Sequence, residues 1–191
     1  MITSNKKIIY TIGHSTHPID EFIDILKAYH IGLLVDIRSY PGSRHAPQYN
    51  SDKLAKSLKL HNIEYIQLPS LGGLRPTKKD SINIGWENKS FRGYADYMQT
   101  PEFTKGINEL IELRNNESQN NVLNSKNTAV VIMCAEAVPW RCHRSLVGDA
   151  LLVRGFTVID ILSKTYSKPH KLTPWAIVDG TKIIYPANYK G

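Results

Sequence analysis

The sequence lacks any long apolar segment. Its apolar runs, such as 31–35 and 129–133, are far shorter than the roughly 20 apolar residues that a helix needs to cross a bilayer. No membrane span is therefore predicted. The two lysines at 6 and 7 are followed by apolar residues only as far as Ile12, which is unlike a secretory signal peptide. We expect a cytoplasmic protein.

Cysteines and acidic residues are scarce as well. The only cysteines are Cys134 and Cys142, which are too few for a disulfide framework, and free thiols are expected in a reducing compartment. The chain has 17 Asp and Glu residues against 24 Lys and Arg residues, a net charge of +7. This excess favours an anionic partner, either a small molecule or nucleic acid. Lysines such as Lys53, Lys56 and Lys59 are nevertheless typical of an ordinary solvated surface.

Apolar runs alternate with helical periodicity along most of the chain. Strands are predicted at 8–12, 33–37, 65–68, 129–133 and 157–161, and helices at 18–29, 51–60, 104–114 and 143–154. This β-α-β order is typical of an α/β fold with an open, doubly wound, mostly parallel sheet and helices on both faces. We predict one domain over residues 1–191.

Two stretches depart from this order. Residues 69–101 mix Gly, aromatic residues and Arg without a clear period. Because a structureless loop of that length is uncommon, we predict a partly helical, lid-like excursion over the strand ends. Residues 115–127 are rich in Asn and Ser and are predicted to form a surface loop. A small hairpin is predicted near 183–185.

Polar residues follow the predicted strands, at the edge where open α/β sheets bind ligands. Acid, base and nucleophilic residue types make His14, Asp36, Cys134 and Glu136 the predicted catalytic residues. Positive charge makes Arg38, Arg44, His45, Arg141 and Arg144 the predicted anion-binding residues. The remaining histidines, His17, His30, His61 and His170, are expected at the surface or at helix ends.

Four segments resemble a known family, the domain of unknown function 488. They are Thr11–Thr16, Asp36–Arg44, Phe91–Met98 and Met133–Ser145. The resemblance spans nearly the whole chain. It implies the α/β fold and a shared site, but no named reaction.

Cys134 lies at the end of a predicted strand, before a loop and a helix. Unpaired N–H groups, the helix dipole, and Arg141 and Arg144 are expected to favour its thiolate there. A Cys followed by an Arg is similar to the phosphate loop of cysteine-dependent phosphatases and rhodanese-like sulfurtransferases, although here the spacing is one residue longer than in those phosphatases. The alternative is a buried, inert thiol, with both arginines paired to Glu136 or Asp149.

A metal site is the next possibility, because Cys134, Cys142, His143 and His14 are acceptable zinc ligands. The short Cys-x2-Cys spacing of structural zinc sites is missing. His143 also follows Cys142 directly, so the two side chains are not expected to point the same way. The sequence therefore predicts no metal and no cofactor.

Three functions remain open, and the sequence does not indicate the oligomeric state. The first is an enzyme that acts on an anionic substrate in a basic cleft. The second is a non-catalytic nucleic-acid-binding module, in which Trp86, Phe91, Tyr94 and Trp140 stack on bases. The third is a redox sensor in which Cys134 and Cys142 form a reversible disulfide.

Overall fold

One mixed sheet forms the centre of the molecule. The computed structural model describes residues 7–124 and 129–187, with the side chains of 7–116 and 129–187. Its strands are β1 Ile8–Gly13, β2 Ile31–Asp36, β3 Glu64–Gln67, β4 Ala129–Cys134, β5 Thr157–Ile161 and β6 Ser167–Pro169. Their order is β3-β2-β4-β1-β5-β6, and only β6 pairs antiparallel. The predicted α/β fold with a mostly parallel sheet is confirmed.

Five α-helices accompany the sheet in the described part of the chain. They are α1 Ile19–Ala28, α2 Ser51–Lys59, α3 Lys89–Tyr97, α4 Pro101–Asn124 and α5 Arg144–Leu152. Short 3-10 turns lie at Pro47–Tyr49, Pro69–Leu71 and Pro139–Arg141, and strands β7 Ile177–Asp179 and β8 Lys182–Ile184 form a separate hairpin. Among the described residues, no helix has the length and apolar character that a bilayer crossing requires.

The side chains of the central strands alternate between two hydrophobic clusters. Leu33 and Val35 of β2 belong to the cluster that includes residues of α3, α4 and α5. Leu34 belongs to the cluster that includes residues of α1 and α2. Successive strand residues point to opposite faces of a sheet. The strand is buried along its whole length, as expected for the middle of a parallel sheet.

The predicted strands lie within two residues of the observed ones, whereas one loop prediction is wrong. Residues 115–124, predicted as surface loop, continue helix α4. The rest of that prediction, 125–127, lies outside the described residues. Within the predicted excursion at 69–101, the structure has the 3-10 turn Pro69–Leu71 and helix α3.

The strand order brings three chain segments together at one edge of the sheet. Strand β4 lies between β1 and β2, with Gly13 opposite Cys134 and Asp36 opposite Met133. The chain after β1, β2 and β4 therefore leaves the sheet side by side. An open α/β sheet binds its ligands at such a point.

Candidate functional site

The loop after β4 is fixed to the neighbouring strand by backbone hydrogen bonds. The N–H of His14 donates to the carbonyl of Cys134 at 3.0 Å, and that of Ser15 donates to Ala135 at 2.9 Å. A turn at Pro139–Arg141 then leads the chain back to the start of α5. Cys142 and His143 consequently return to the strand end that carries Cys134.

Two thiols and one imidazole meet at this point. The ligand atoms of Cys134, Cys142 and His143 all lie within 4.8 Å of one another. The Nδ1 atom of His143 is 3.8 Å from each sulfur atom. Both cysteines are buried and have free thiols. We refer to these three residues as the thiol–imidazole cluster. The expectation that Cys142 and His143 point in different directions is wrong.

The ring of His143 is held in one orientation. Its Nε2–H donates to the carbonyl of Ile37 at 3.1 Å, which leaves the lone pair of Nδ1 directed at the two sulfur atoms. The ring of Tyr94 packs beside it, with centroids 4.8 Å apart. On another side lies Gly73, where an added Cβ would come within 2.9 Å of Nδ1. The absence of a side chain at Gly73 therefore leaves room for the imidazole.

The two thiols differ in acidity, and the order is opposite to the one expected. A hydrogen bond from the thiol of Cys134 lowers the pKa of Cys142 to about 7, helped by the charge and N–H of Arg144 and opposed by burial. The same hydrogen bond, together with burial, raises the pKa of Cys134. These interactions favour the thiolate at Cys142 over that at Cys134, the thiol that the sequence predicts to be activated.

Arg144 is bonded to the backbone of the loop, and its anion-binding role stays a prediction. The residue is fully buried. Its guanidinium donates to the carbonyl of Glu136 and, at 2.9 Å, to that of Ala137. Among the ion pairs of the described residues, none includes Arg144. The carboxylates of Glu136 and Asp149, considered as its partners from the sequence, are not bonded to it.

Asp36, Arg38 and His14 form a buried network behind the cluster. The guanidinium of Arg38 binds Asp36 through Nε at 2.9 Å and Nη2 at 2.5 Å, and Tyr65 donates to the same carboxylate at 2.8 Å. The Nη1 of Arg38 donates to the Nε2 of His14 at 3.2 Å. Of these residues only Arg38 contacts the neighbouring pocket. Asp36 and His14, predicted as catalytic, are bonded to Arg38 and do not line this pocket.

The environment of His14 keeps its imidazole neutral. The ring is stacked on Tyr49 with centroids 4.0 Å apart. Burial lowers the pKa of His14 to about 4, assisted by the positive charges of Arg38 and Arg144. Both the low pKa and the burial of the ring disfavour a role for His14 as a general base near neutrality.

A pocket of about 350 Å³ opens beside the cluster, and we refer to it as the site pocket. Its lining comprises Arg38, Ser39, Tyr40, Gly73, Leu74, Ser90, Phe91, Tyr94, Cys134, Ala135, Glu136, Arg141, Cys142 and His143. Glu136 and Arg141 are exposed at its rim. Arg44 and His45 are also exposed, but they do not line this pocket. Of the residues predicted to meet at the strand ends, Cys134, Glu136, Arg38 and Arg141 line this pocket, whereas Arg44 and His45 do not.

A family model described as domain of unknown function DUF488 matches residues 18–151, which is more than half of the chain. The protein belongs to the DUF488 family. No curated protein and no solved structure matches the chain.

Sequence reasoning missed part of the site in this DUF488 protein. The sequence indicates Cys142 and His143 as possible metal ligands, but they are not among the predicted site residues. Tyr94 was considered only as a base-stacking ring, whereas it packs against His143. The adjacent Cys142-His143 pair was the available signal, because both residue types carry nucleophilic or metal-binding chemistry.

Proposed function

We propose that this DUF488 protein is an enzyme that acts on a small anionic substrate bound in the site pocket, within a reducing compartment such as the cytoplasm. One observation carries the proposal: the pocket joins two free thiols and an oriented imidazole to the guanidinium groups of Arg38 and Arg141. Reactive groups and anion-binding groups from several strand ends thus line the same pocket, as in many enzyme active sites.

The dimensions of the pocket favour a small molecule. Ligand pockets typically have volumes of about 300–1,000 Å³, and the site pocket lies near the lower limit of that range. Leu74, Phe91 and Tyr94 supply apolar walls around the few polar groups. This combination of an apolar lining with few convergent polar groups is typical of metabolite sites.

The polar residues of the pocket have separable roles. Arg141 is exposed at the rim and is the group that contacts the substrate anion. Arg38 is held by Asp36 and adds positive potential to the inner wall. The thiol–imidazole cluster is the reactive centre, and Glu136 at the rim is available to transfer a proton. Binding and chemistry are therefore assigned to different side chains.

A defined mixture of phosphate monoesters, nucleoside monophosphates and short dicarboxylates tests the proposal, with substrate loss followed by mass spectrometry. Cys142→Ser should abolish conversion. Arg141→Gln should raise KM by about tenfold or more, because it removes a charge-assisted hydrogen bond.

Arg44→Gln is the matched control, since it removes an exposed arginine outside the pocket and should leave KM unchanged. Circular dichroism establishes that each variant is folded. Failure of the protein to convert any component, or equal effects of Arg44→Gln and Arg141→Gln, would contradict the proposal.

The nucleic-acid-binding hypothesis has less support than the enzyme hypothesis. Phe91 and Tyr94 are buried, and Trp86 is stacked on Phe91 with centroids 4.7 Å apart. Of the four aromatic residues considered for stacking, only Trp140 is largely exposed, at 56%. Base stacking needs open ring faces. Binding of a single-stranded oligonucleotide that weakens steeply with salt, in the absence of turnover, would favour this alternative.

The redox-sensor hypothesis is favoured by one observation, the closeness of the two sulfur atoms. Formation of a disulfide between Cys134 and Cys142 would remove two protons and two electrons, which a mild oxidant such as a peroxide accepts. Reversible loss of two hydrogens with no turnover in any reduced sample would support a sensor instead of an enzyme.

A further inference from the structure

We propose that Cys134, Cys142 and His143 bind one Zn²⁺ ion whose fourth coordination position faces the site pocket. The metal would be the cofactor of the reactive centre. Its catalytic role therefore rests on the proposed function, whereas the binding of Zn²⁺ to the three residues is independent of that function. The donor set consists of two sulfur atoms and one imidazole nitrogen, which suit Zn²⁺. Catalytic zinc sites typically have three protein ligands and one open position.

The distances agree with this assignment. Zinc bonds of about 2.3 Å to sulfur and about 2.0–2.1 Å to nitrogen at tetrahedral angles place sulfur and nitrogen about 3.6 Å apart. The two observed separations between the sulfur atoms and Nδ1 are both 3.8 Å. The same bond lengths place the sulfur atoms about 3.8 Å apart, and here they lie within 4.8 Å. Only small side-chain movements are required for ligation.

The surroundings of the three donors resemble the outer shell of a zinc site. A zinc-bound histidine usually donates its second ring N–H to a carboxylate or a backbone carbonyl. His143 donates Nε2–H to the carbonyl of Ile37, which leaves Nδ1 for the metal. The backbone N–H of Arg144 donates to the sulfur of Cys142 at 3.5 Å. Both contacts orient a donor atom toward the same point.

The charges around the thiol–imidazole cluster are also compatible with a bound Zn²⁺ ion. Arg144 is fully buried, and its hydrogen bonds to Glu136 and Ala137 go to neutral carbonyl groups. A buried cation is costly without a nearby negative charge. Two thiolates and one Zn²⁺ form a neutral unit, so metal binding would add no second positive charge beside Arg144, which interacts with Cys142. The site therefore accommodates both the metal and Arg144.

The open position determines which chemistry the metal would supply. Cys134, Cys142 and His143 all line the site pocket, so a ligand there can reach a metal held by the three. Zinc at such a position polarises a substrate oxygen or lowers the pKa of a bound water. Arg141 at the rim is then placed to bind the anionic part of the same substrate.

The test is titration of reduced, chelator-treated full-length protein with Co²⁺, followed by competition with Zn²⁺. One Co²⁺ per chain should bind with visible absorption of tetrahedral cobalt and a thiolate-to-cobalt charge-transfer band, and Zn²⁺ should displace it. Cys134→Ser, Cys142→Ser and His143→Gln should each weaken Co²⁺ binding by about a hundredfold or more, because even outer partners of a ligand contribute 10–100-fold.

His45→Ala is the matched control and should leave the titration unchanged, since His45 is exposed outside the pocket. The spectrum of the unaltered protein decides the question even where a cysteine variant does not fold. Binding without the charge-transfer band, or an equal loss in His45→Ala, would overturn the zinc site.

The two proposals fail in different ways. If the metal-free protein converts an anion and this conversion requires Cys142, the enzyme proposal stands and the zinc proposal fails. Stoichiometric Zn²⁺ binding through the three residues, without turnover of any anion and with no effect of Arg141→Gln, would retain the zinc and reject the enzyme.

Discussion

At the scale of single residues, several of the predicted catalytic and anion-binding side chains form hydrogen bonds within the fold. Asp36, His14 and Arg144 carry charges or titrate, yet each is buried and bonded to a neighbour within the fold. The sequence places them correctly near the strand ends. It does not reveal whether their hydrogen-bonding capacity is used internally, because the partners lie far away in the chain, as Tyr65 does for Asp36.

Asp36→Asn should be strongly destabilising. The substitution leaves the guanidinium of Arg38 buried without its counter-charge, and breaking a buried ion pair from one side typically costs about 3–5 kcal/mol. The free energy of unfolding, measured by urea denaturation, should fall by that amount.

A surface ion pair provides the control. Asp24 binds Lys164 at 3.0 Å, with both side chains more than half exposed. Solvent screens such an exposed pair, so Asp24→Asn should have little effect on the free energy of unfolding. Similar losses in both variants would show that the Asp36 network does not stabilise the fold.

At the scale of elements, buried strands were predictable and the long helix was not. The strands are short apolar runs of a kind that parallel sheets require. Helix α4 extends through Asn-rich sequence to Asn124. Polar residues of this kind oppose a helix by only some tenths of a kcal/mol each, whereas Gly and Pro oppose it strongly. Neither Gly nor Pro occurs between Ile107 and Asn124. The Asn-rich composition therefore did not indicate where the helix ends.

The turn before α5 explains why the thiol–imidazole cluster was missed. Cys142 is extended, with φ −137° and ψ 142°, whereas His143 already has helical angles, φ −56° and ψ −18°. Adjacent side chains point to opposite sides only in a regular strand. A change of backbone conformation between the two residues lets both reach the Cys134 sulfur. Such a change depends on the turn geometry, which residue types did not indicate here.

At the scale of the whole molecule, a second buried network joins α5, β5 and the C-terminal segment. His170, expected at the surface, has a side chain only 7% exposed and bonds to Asp149 and Asp160 at 3.1 Å each. Tyr185 and Thr173 also donate to Asp149. Burial opposes the charged form, but the two carboxylates outweigh it and raise the pKa of His170 to about 9.

This network predicts a decline in stability at alkaline pH. The folded-state pKa lies above the ordinary value of about 6.5, so the contribution of protonated His170 is fully present below pH 6.5 and is lost as pH rises through about 9. The difference between the two pKa values corresponds to a loss of at most about 3 kcal/mol in the free energy of unfolding. Urea denaturation between pH 6 and pH 10 measures it.

His170→Gln is the control, because glutamine does not titrate. The stability difference between the original protein and this variant should shrink over the same pH range. A constant difference would contradict the assignment of a charged His170.

NMR chemical-shift mapping of the isotope-labelled protein can observe the binding of a small anion in the site pocket directly. Inorganic phosphate and adenosine monophosphate serve as probes. The account predicts saturable shifts at the side-chain Nε–H of Arg141 and at the backbone N–H groups of residues 135–143. Shifts confined to exposed basic residues away from the pocket, such as Arg44 and Lys53, would contradict it.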